Sequence, residues 1–284
     1  MTKIHPSAVI DPTAVLGPNC EVGPFCVIEA GASVGAGCVI GARTSIKAGV
    51  KIGEDNIFSE GVVIGGRAQH LQDQGGGRVI IGRGNRFREN VTVHRAFHAD
   101  SETRIGDHNL VMVNCHIAHD CTVGNNVVLV NNVMLAGHVD VADRAYLGGG
   151  AAVHQHCRVG RFAMVGGYAR ATRDIPPYVL IDGEGTEVVG LNKVGLKRNG
   201  FTSEQILDLK KAYRLIYREG LRWSEVLSRL AAEFKTGPAA DYTQFFSGGK
   251  RGFVSERRIS RKATLKLVKF QDAEEDQRDA REAA

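Results

Sequence analysis

From Ile4 onward an aliphatic or aromatic residue returns at every sixth position, through Ile10, Leu16, Val22, Ile28, Val34, Ile40, Ile46, Ile52, Phe58 and Ile64. The same beat runs from Ile105 through Val111, Ile117, Val123, Leu129, Leu135, Val141, Leu147, Val153 and Val159 to Val165. A period of six matches neither an amphipathic helix nor a simple strand. It fits a parallel β-helix, in which each short strand ends in a turn and three strands close one coil. One coil then takes about eighteen residues, so residues eighteen apart stack about 4.8 Å from one another, as neighbouring strands do.

The phase slips once. After Ile64 the next aliphatic–glycine pair, Ile81-Gly82, comes seventeen residues on instead of eighteen. Residues 67–78, polar and containing Gly75-Gly76-Gly77, read as an excursion, either a substrate-contacting loop or a tolerated insertion. The beat resumes at Ile81, Phe87 and Val93, and residues 98–104, poor in aliphatic side chains, read as a second loop or a weak side. Glycines that follow the aliphatic residue, such as Gly17, Gly35 and Gly53, are expected to ease the turns. Regular hexads end near Gly167, and Pro176-Pro177 is expected to lead the chain off the repeat after about ten coils.

Beyond residue 199 the period becomes helical. Thr202 and Gln205 form a capping box ahead of the stripe Ile206, Leu209, Tyr213, Ile216 and Tyr217. A second helix is predicted from Ser224, with Val226, Leu227, Leu230 and Phe234 on its apolar stripe. After Gly237-Pro238 a third, short one holds Tyr242, Phe245 and Phe246. The expected organisation is a β-helix over 1–199, a small helical domain over 200–247 and a charged, flexible tail over 248–284. That tail has ten Lys and Arg against seven Asp and Glu, which accounts for +3 of the net +5.

With 284 residues and 43% hydrophobic content the chain can bury a sizeable core. The low aromatic share, 6%, offers no stacking platforms for nucleic acid. No apolar run approaches the ~18 residues of a membrane span, and the start lacks a secretion signal, so a cytoplasmic location is expected.

Counted from the aliphatic residue, all six cysteines occupy the fifth position of their hexads. A narrow inner corner admits only small residues, and cysteine serves there as a small hydrophobe rather than as a metal ligand or disulfide partner. None of the ten histidines falls in the first or fifth position, so all are expected to face outward. Counting in eighteens stacks His119, Gly137 and Gln155 in one column and Asp120, His138 and His156 in the next, with His116 and His154 in neighbouring columns. A base, a carboxylate and a side-chain-free amide on one ridge suit acyl transfer. The spacing alone leaves a plain polar ridge equally open.

The run 114–125, NCHIAHDCTVGN, together with Val91-Thr92-Val93-His94-Arg95, Ala152-Val153-His154-Gln155 and Gly195-Leu196-Lys197-Arg198, resembles the cytoplasmic UDP-N-acetylglucosamine O-acyltransferases that begin lipid A synthesis. The resemblance reaches roughly Val254. It implies a left-handed parallel β-helix assembled as a homotrimer, with active sites in clefts between subunits and no metal or bound cofactor. The acyl chain would arrive on the phosphopantetheine of acyl carrier protein and pass to the 3-hydroxyl of the UDP sugar. On this resemblance His119 is the general base, Asp120 orients it, and the Gly137 amide receives the oxyanion. His116, His138, His154 and Gln155 contact substrate, Asn192 and Arg198 hold the nucleotide diphosphate, and Gly167 bears on acyl-chain length, a glycine favouring a chain longer than ten carbons. Two departures stand out. His70 and Gln72 replace an Asp and a Lys common in the family as substrate ligands, and Val194 and Asn199 replace a Glu and an Arg. The alternatives are N-acylation of the 3-amino analogue of the sugar, and a catalytically silent paralogue that binds a nucleotide sugar or a protein partner.

Overall fold

The computed structural model describes residues 1–72 and 75–257. Strands mostly two residues long stack into three parallel sheets, which form the sides of a prism. The register is the eighteen-residue step: Lys3 lies on Glu21, Val111 on Leu129 and Ile117 on Leu135. The first sheet holds eleven strands, the last of them antiparallel to its neighbour, which leaves ten stacked in parallel. Aliphatic hexad residues point inward, and Ile46, Ile64, Ile117, Leu129 and Leu135 are fully buried.

Corners are turned by residues in the left-handed region, among them Asn114, Asp120, Asn132, His138 and His156, with φ between 58° and 62°. Asn, Asp and His tolerate that region better than most side chains. The glycines expected to ease the turns do something else. A Cβ on Gly35 would lie 2.5 Å from the carbonyl carbon of Gly53 in the next coil, so glycine there permits close stacking.

Both interruptions are insertions into a register that otherwise steps by eighteen as far as Arg170. Ile81 stacks on Ile52, 29 residues back, and Ile105 on Ile81, 24 back. The surplus over eighteen is eleven residues in the first case and six in the second. Six is one hexad, which is why the aliphatic phase survives. Residues 98–104 therefore combine a loop with a strand, Glu102–Ile105. Across these coils a buried asparagine ladder pins the register. The Asn85 backbone and side-chain amides donate to Asn56 Oδ1 at 2.9 Å, and the Asn109 and Val127 amides continue the chain to Asn85 and Asn109. A slipped register would strand these amides without partners.

Regular hexads do end near Gly167, where the stacking step shortens from eighteen residues to sixteen, but the prism continues and the prolines do not lead the chain away. Ile175 bridges Val159, and Val179–Ile181 pairs with Met164–Val165. Pro176-Pro177 shapes the last corner, packed so closely that a Cβ on Gly160 would meet Pro177 at 2.3 Å.

All six cysteines are free and fully buried. The thiols of Cys20, Cys26, Cys38, Cys115 and Cys121 donate to carbonyls of the next coil, as Cys26 does to Gly41 at 3.0 Å. Burial pushes the Cys121 thiol up to about 12 and Cys115 to about 11, so both stay protonated.

Among the described residues four α-helices follow: α1 Lys193–Arg198, α2 Ser203–Tyr217, α3 Trp223–Glu233 and α4 Asp241–Ser247. The capping box of α2 is present, with Ile206, Leu209 and Tyr213 buried. α1 is a helix that the hexad and stripe patterns miss, because its six residues bury only Leu196. Residues 248–257, assigned from composition to the charged tail, instead strap the helices to the prism. Asp174 pairs with Phe253 and Val188 with Glu256, while Glu256 binds Tyr213 and Arg218. The remainder of that segment, 258–284, lies outside the described residues. No helix among the described residues is long and apolar enough to cross a membrane.

Candidate active site

Both insertions leave the prism at the same corner. Each connects a strand of the second side, Val63–Gly66 or Thr92–His94, to one of the third, Arg78–Ile81 or Glu102–Ile105. His119 and Asp120 turn that corner in the next coil up. A repeat that would otherwise expose this edge thus shields it with two loops, and the side chains of His119 and Asp120 retain 12% and 9% exposure.

His119 Nδ1 lies 2.7 Å from Asp120 Oδ2. Asp120 also accepts from the Phe97 amide at 3.0 Å and from Ser101 Oγ at 2.9 Å, and its own amide donates to Thr103 Oγ1 at 2.9 Å. Burial pushes the Asp120 carboxyl up, but the hydrogen bonds from His119, Phe97 and Ser101 outweigh it and hold the group below its usual range. A carboxylate kept ionised this way accepts a hydrogen bond from Nδ1–H of His119, so Nε2 carries the lone pair. That nitrogen sits over Gly137, where a Cβ would come within 2.7 Å of it. The Gly137 amide has no protein acceptor among the described residues.

His138 Nε2 stands 3.8 Å from the same Asp120 oxygen, and His138 stacks on His156 at 4.5 Å. His119, Asp120 and His138 offer atoms within 4.8 Å of one another, a spacing that a metal ion tolerates. The donors already aimed at Asp120 use both of its oxygens, and His119 Nδ1 presents a proton there rather than a lone pair. The trio reads as an oriented base.

A groove of about 460 Å³ opens beside His119 along the second side. His70, His116, His154 and Gln155 line it, over a floor that includes Ala118, Ala136 and Gly137. His70 reaches it from the first insertion, its ring 4.4 Å from Phe97 and 6.1 Å from His119. Gln72 is exposed and is not among the groove residues; its amide donates to His70 Nδ1 at 3.2 Å. His116 shares a 2.9 Å hydrogen bond with Thr92 Oγ1. Phe97, Ser101 and Thr103, which hold Asp120, were missed by sequence reading. The signal was there in the six-residue surplus, which puts a second loop at the corner just below His119.

Burial, reinforced by His94, pushes the His116 imidazole down to about 4, and burial also lowers His138 despite Asp120 beside it. Histidines kept neutral in the folded chain bind protons more readily once it unfolds. Stability is therefore full above about pH 6.5 and declines towards pH 4, by at most about 3 kcal/mol for His116. Thermal unfolding midpoints should fall over that window, and His116→Asn should flatten the fall. A level midpoint in the unsubstituted protein would contradict the assignment.

Three predicted site residues lie elsewhere. Asn192 caps α1, accepting from the Gly195 amide at 3.0 Å, and donates to the Phe162 carbonyl at 3.0 Å. Arg198 is exposed at the end of the same helix. Asn199, next to it, accepts from Arg144, a turn residue of the corner between the third and first sides. The His119 group and the α1 group thus occupy different edges of the prism. Gly167 is on the remaining edge, between the first and second sides, where a Cβ would approach the Gly149 carbonyl at 3.2 Å. A larger hollow of about 520 Å³ lies on the third side under α4, lined by Asp140, Arg158, Arg161 and Phe245. It is apart from the histidines, and its Arg158 is paired with Asp174.

Comparison with known proteins gives consistent results. A family described as UDP N-acetylglucosamine O-acyltransferase, domain 2, matches residues 174–254, and the bacterial transferase hexapeptide family matches 1–36, 31–66 and 102–137. An acyl-[acyl-carrier-protein]–UDP-N-acetylglucosamine O-acyltransferase from Halorhodospira halophila is 44% identical over 257 residues, covering 89% of this chain and 100% of that one. The namesake from Burkholderia lata is 39% identical over 261 residues, with the same coverage. Among solved structures, the UDP-N-acetylglucosamine acyltransferase of Francisella novicida superposes with a TM-score of 0.87 at 31% identity, covering 93% of this chain and 99% of that one. The enzyme of Moraxella catarrhalis gives 0.85 at 38%, covering 88% and 99%.

Proposed function

Because the chain belongs to the family of acyl-[acyl-carrier-protein]–UDP-N-acetylglucosamine O-acyltransferases, we propose that it transfers a 3-hydroxyacyl chain from acyl carrier protein to the 3-hydroxyl of UDP-N-acetylglucosamine. This is the first step of lipid A biosynthesis, and we place it in the cytoplasm. The observation that carries the reading is the His119–Asp120 pair at 2.7 Å with Nε2 turned over a glycine amide.

His119 Nε2 removes the proton from the sugar hydroxyl as its oxygen attacks the thioester carbonyl. The negative charge that develops on the carbonyl oxygen is received by the Gly137 N–H. Asp120 stabilises the imidazolium. When the tetrahedral intermediate collapses, the C–S bond breaks, and His119 returns its proton to the departing phosphopantetheine sulfur. The products are the O-acyl sugar and the free thiol of the carrier. His70, His116, His154 and Gln155 orient the substrates in the groove, His138 contacts them from its place beside Asp120, and Gln72 acts through His70. No step calls for a metal.

Asn192 and Arg198 hold the nucleotide diphosphate from the edge of a neighbouring copy, which explains their distance in the fold from His119. A homotrimer closes such a heterologous contact. Gly167 leaves room for a chain longer than ten carbons.

The test is direct. Purified protein with 3-hydroxyacyl carrier protein and an equimolar mixture of UDP-N-acetylglucosamine and its 3-amino analogue should yield chiefly the ester, identified by mass. Exclusive amide formation, or no acylated sugar, would overturn the proposal.

A further inference from the structure

His154 shares the groove with His119, and two neighbours compete for one of its ring nitrogens, Nδ1. Its Nδ1 is met by the guanidinium of Arg251, from the strap at 248–257. The backbone around Arg251 is fixed: the Asp174 amide donates to the Gly252 carbonyl at 2.9 Å, and the Val254 amide donates to Asp174 at 3.0 Å. Arg251 has no carboxylate partner among the described residues; besides His154 its side chain meets the buried Cys157 thiol, and its Nε–H is buried without an acceptor. A cation placed there without a counter-charge is not explained by anchoring the strap, since Glu256 already anchors it to Tyr213 and Arg218.

The chemistry of the contact fixes a proton. A guanidinium only donates, so the Nδ1 it meets must hold a lone pair, and neutral His154 then carries its hydrogen on Nε2. The rival arrangement is also present in the fold. The Gln155 carbonyl lies 3.3 Å from the same Nδ1, and a carbonyl only accepts, so without Arg251 it would favour Nδ1–H. The two neighbours call for opposite tautomers, and the charged donor makes the stronger hydrogen bond.

We infer that Arg251 is a positioning residue for acyl transfer: it locks His154 as the Nε2–H tautomer, so that the groove presents a hydrogen-bond donor to substrate at this point rather than an acceptor. The inference rests on the groove being the substrate site, but the proton position is a property of the substrate-free protein and can be measured there.

The experiment uses full-length protein labelled with ¹⁵N at histidine, as wild type, Arg251→Met and Arg251→Lys, with His154→Gln to identify the His154 resonances. Long-range ¹H–¹⁵N correlation in the absence of substrate should show an unprotonated Nδ1 in the wild type. Methionine at 251 should move His154 towards Nδ1–H, and lysine should keep the wild-type pattern. In turnover, Arg251→Met should raise KM roughly tenfold, the worth of one lost donor, for the substrate that meets His154, with kcat changed less than about threefold. Lysine should restore most of the loss. An unchanged tautomer in Arg251→Met would overturn the inference, even if the variant melts at a lower temperature. A changed tautomer with unaltered KM would refute the role in substrate binding while leaving the acyl-transfer reading intact.

Discussion

Replacing His119 with alanine is expected to lower kcat by about 10³-fold or more, within the range that general bases contribute. Among the described residues only His119 meets the three requirements of the base. Its Nδ1 is fixed by a carboxylate, its Nε2 opens on the groove, and the amide proposed to receive the oxyanion lies next to it. Residual turnover would come from the Gly137 amide and substrate alignment, which do not need the imidazole. The fold should survive, because His119 is an outward corner residue and the core of that coil is made by Ile117, Cys121 and Val123, all buried. Single-turnover kinetics with mass detection, alongside circular dichroism, separates the two effects. Activity within tenfold of wild type, in a folded variant, would remove His119 from the mechanism.

The second large effect should come from one added methyl group. Gly137→Ala places a Cβ 2.7 Å from both Cε1 and Nε2 of His119, closer than real side chains approach. The Gly137 backbone is not in the left-handed region, so alanine adds no backbone strain there. The imidazole is what must give way, pulling against its bond to Asp120. A displacement of about 1 Å in a catalytic group costs about 10²-fold, so kcat should fall by that order. KM and the unfolding midpoint should change little. Retention of kcat within about threefold would mean that the ring has room to move without consequence.

The two variants probe features that differ in how readable they were beforehand. Hexads gave the prism, its register and the columns of His119 and Asp120, because each coil repeats the one below and arithmetic replaces geometry. Arithmetic fails where the chain departs from the repeat. The eleven-residue insertion breaks the phase and is seen at once, whereas the six-residue insertion keeps it, so residues 98–104 read equally as a loop or a weak side and nothing in them points Phe97 and Ser101 at Asp120. Pro176-Pro177 looked like an exit and proved to be a corner, since proline at a turn between stacked strands forfeits no ladder hydrogen bond. α1 was too short to show a stripe. Arg251 sat in a basic segment whose composition resembles solvated tail, and only the pairing of Asp174 with Phe253 shows that it reaches His154.

The central claim is that the base edge and the α1 edge of different copies complete one site. Co-expressed His119→Ala and Arg198→Ala chains, each weakly active alone at low UDP-sugar concentration, test it most directly. Random mixing in a trimer leaves both residues intact at about one site in four, so activity should recover to about a quarter of wild type. Mixed trimers no more active than the parent variants would contradict the account.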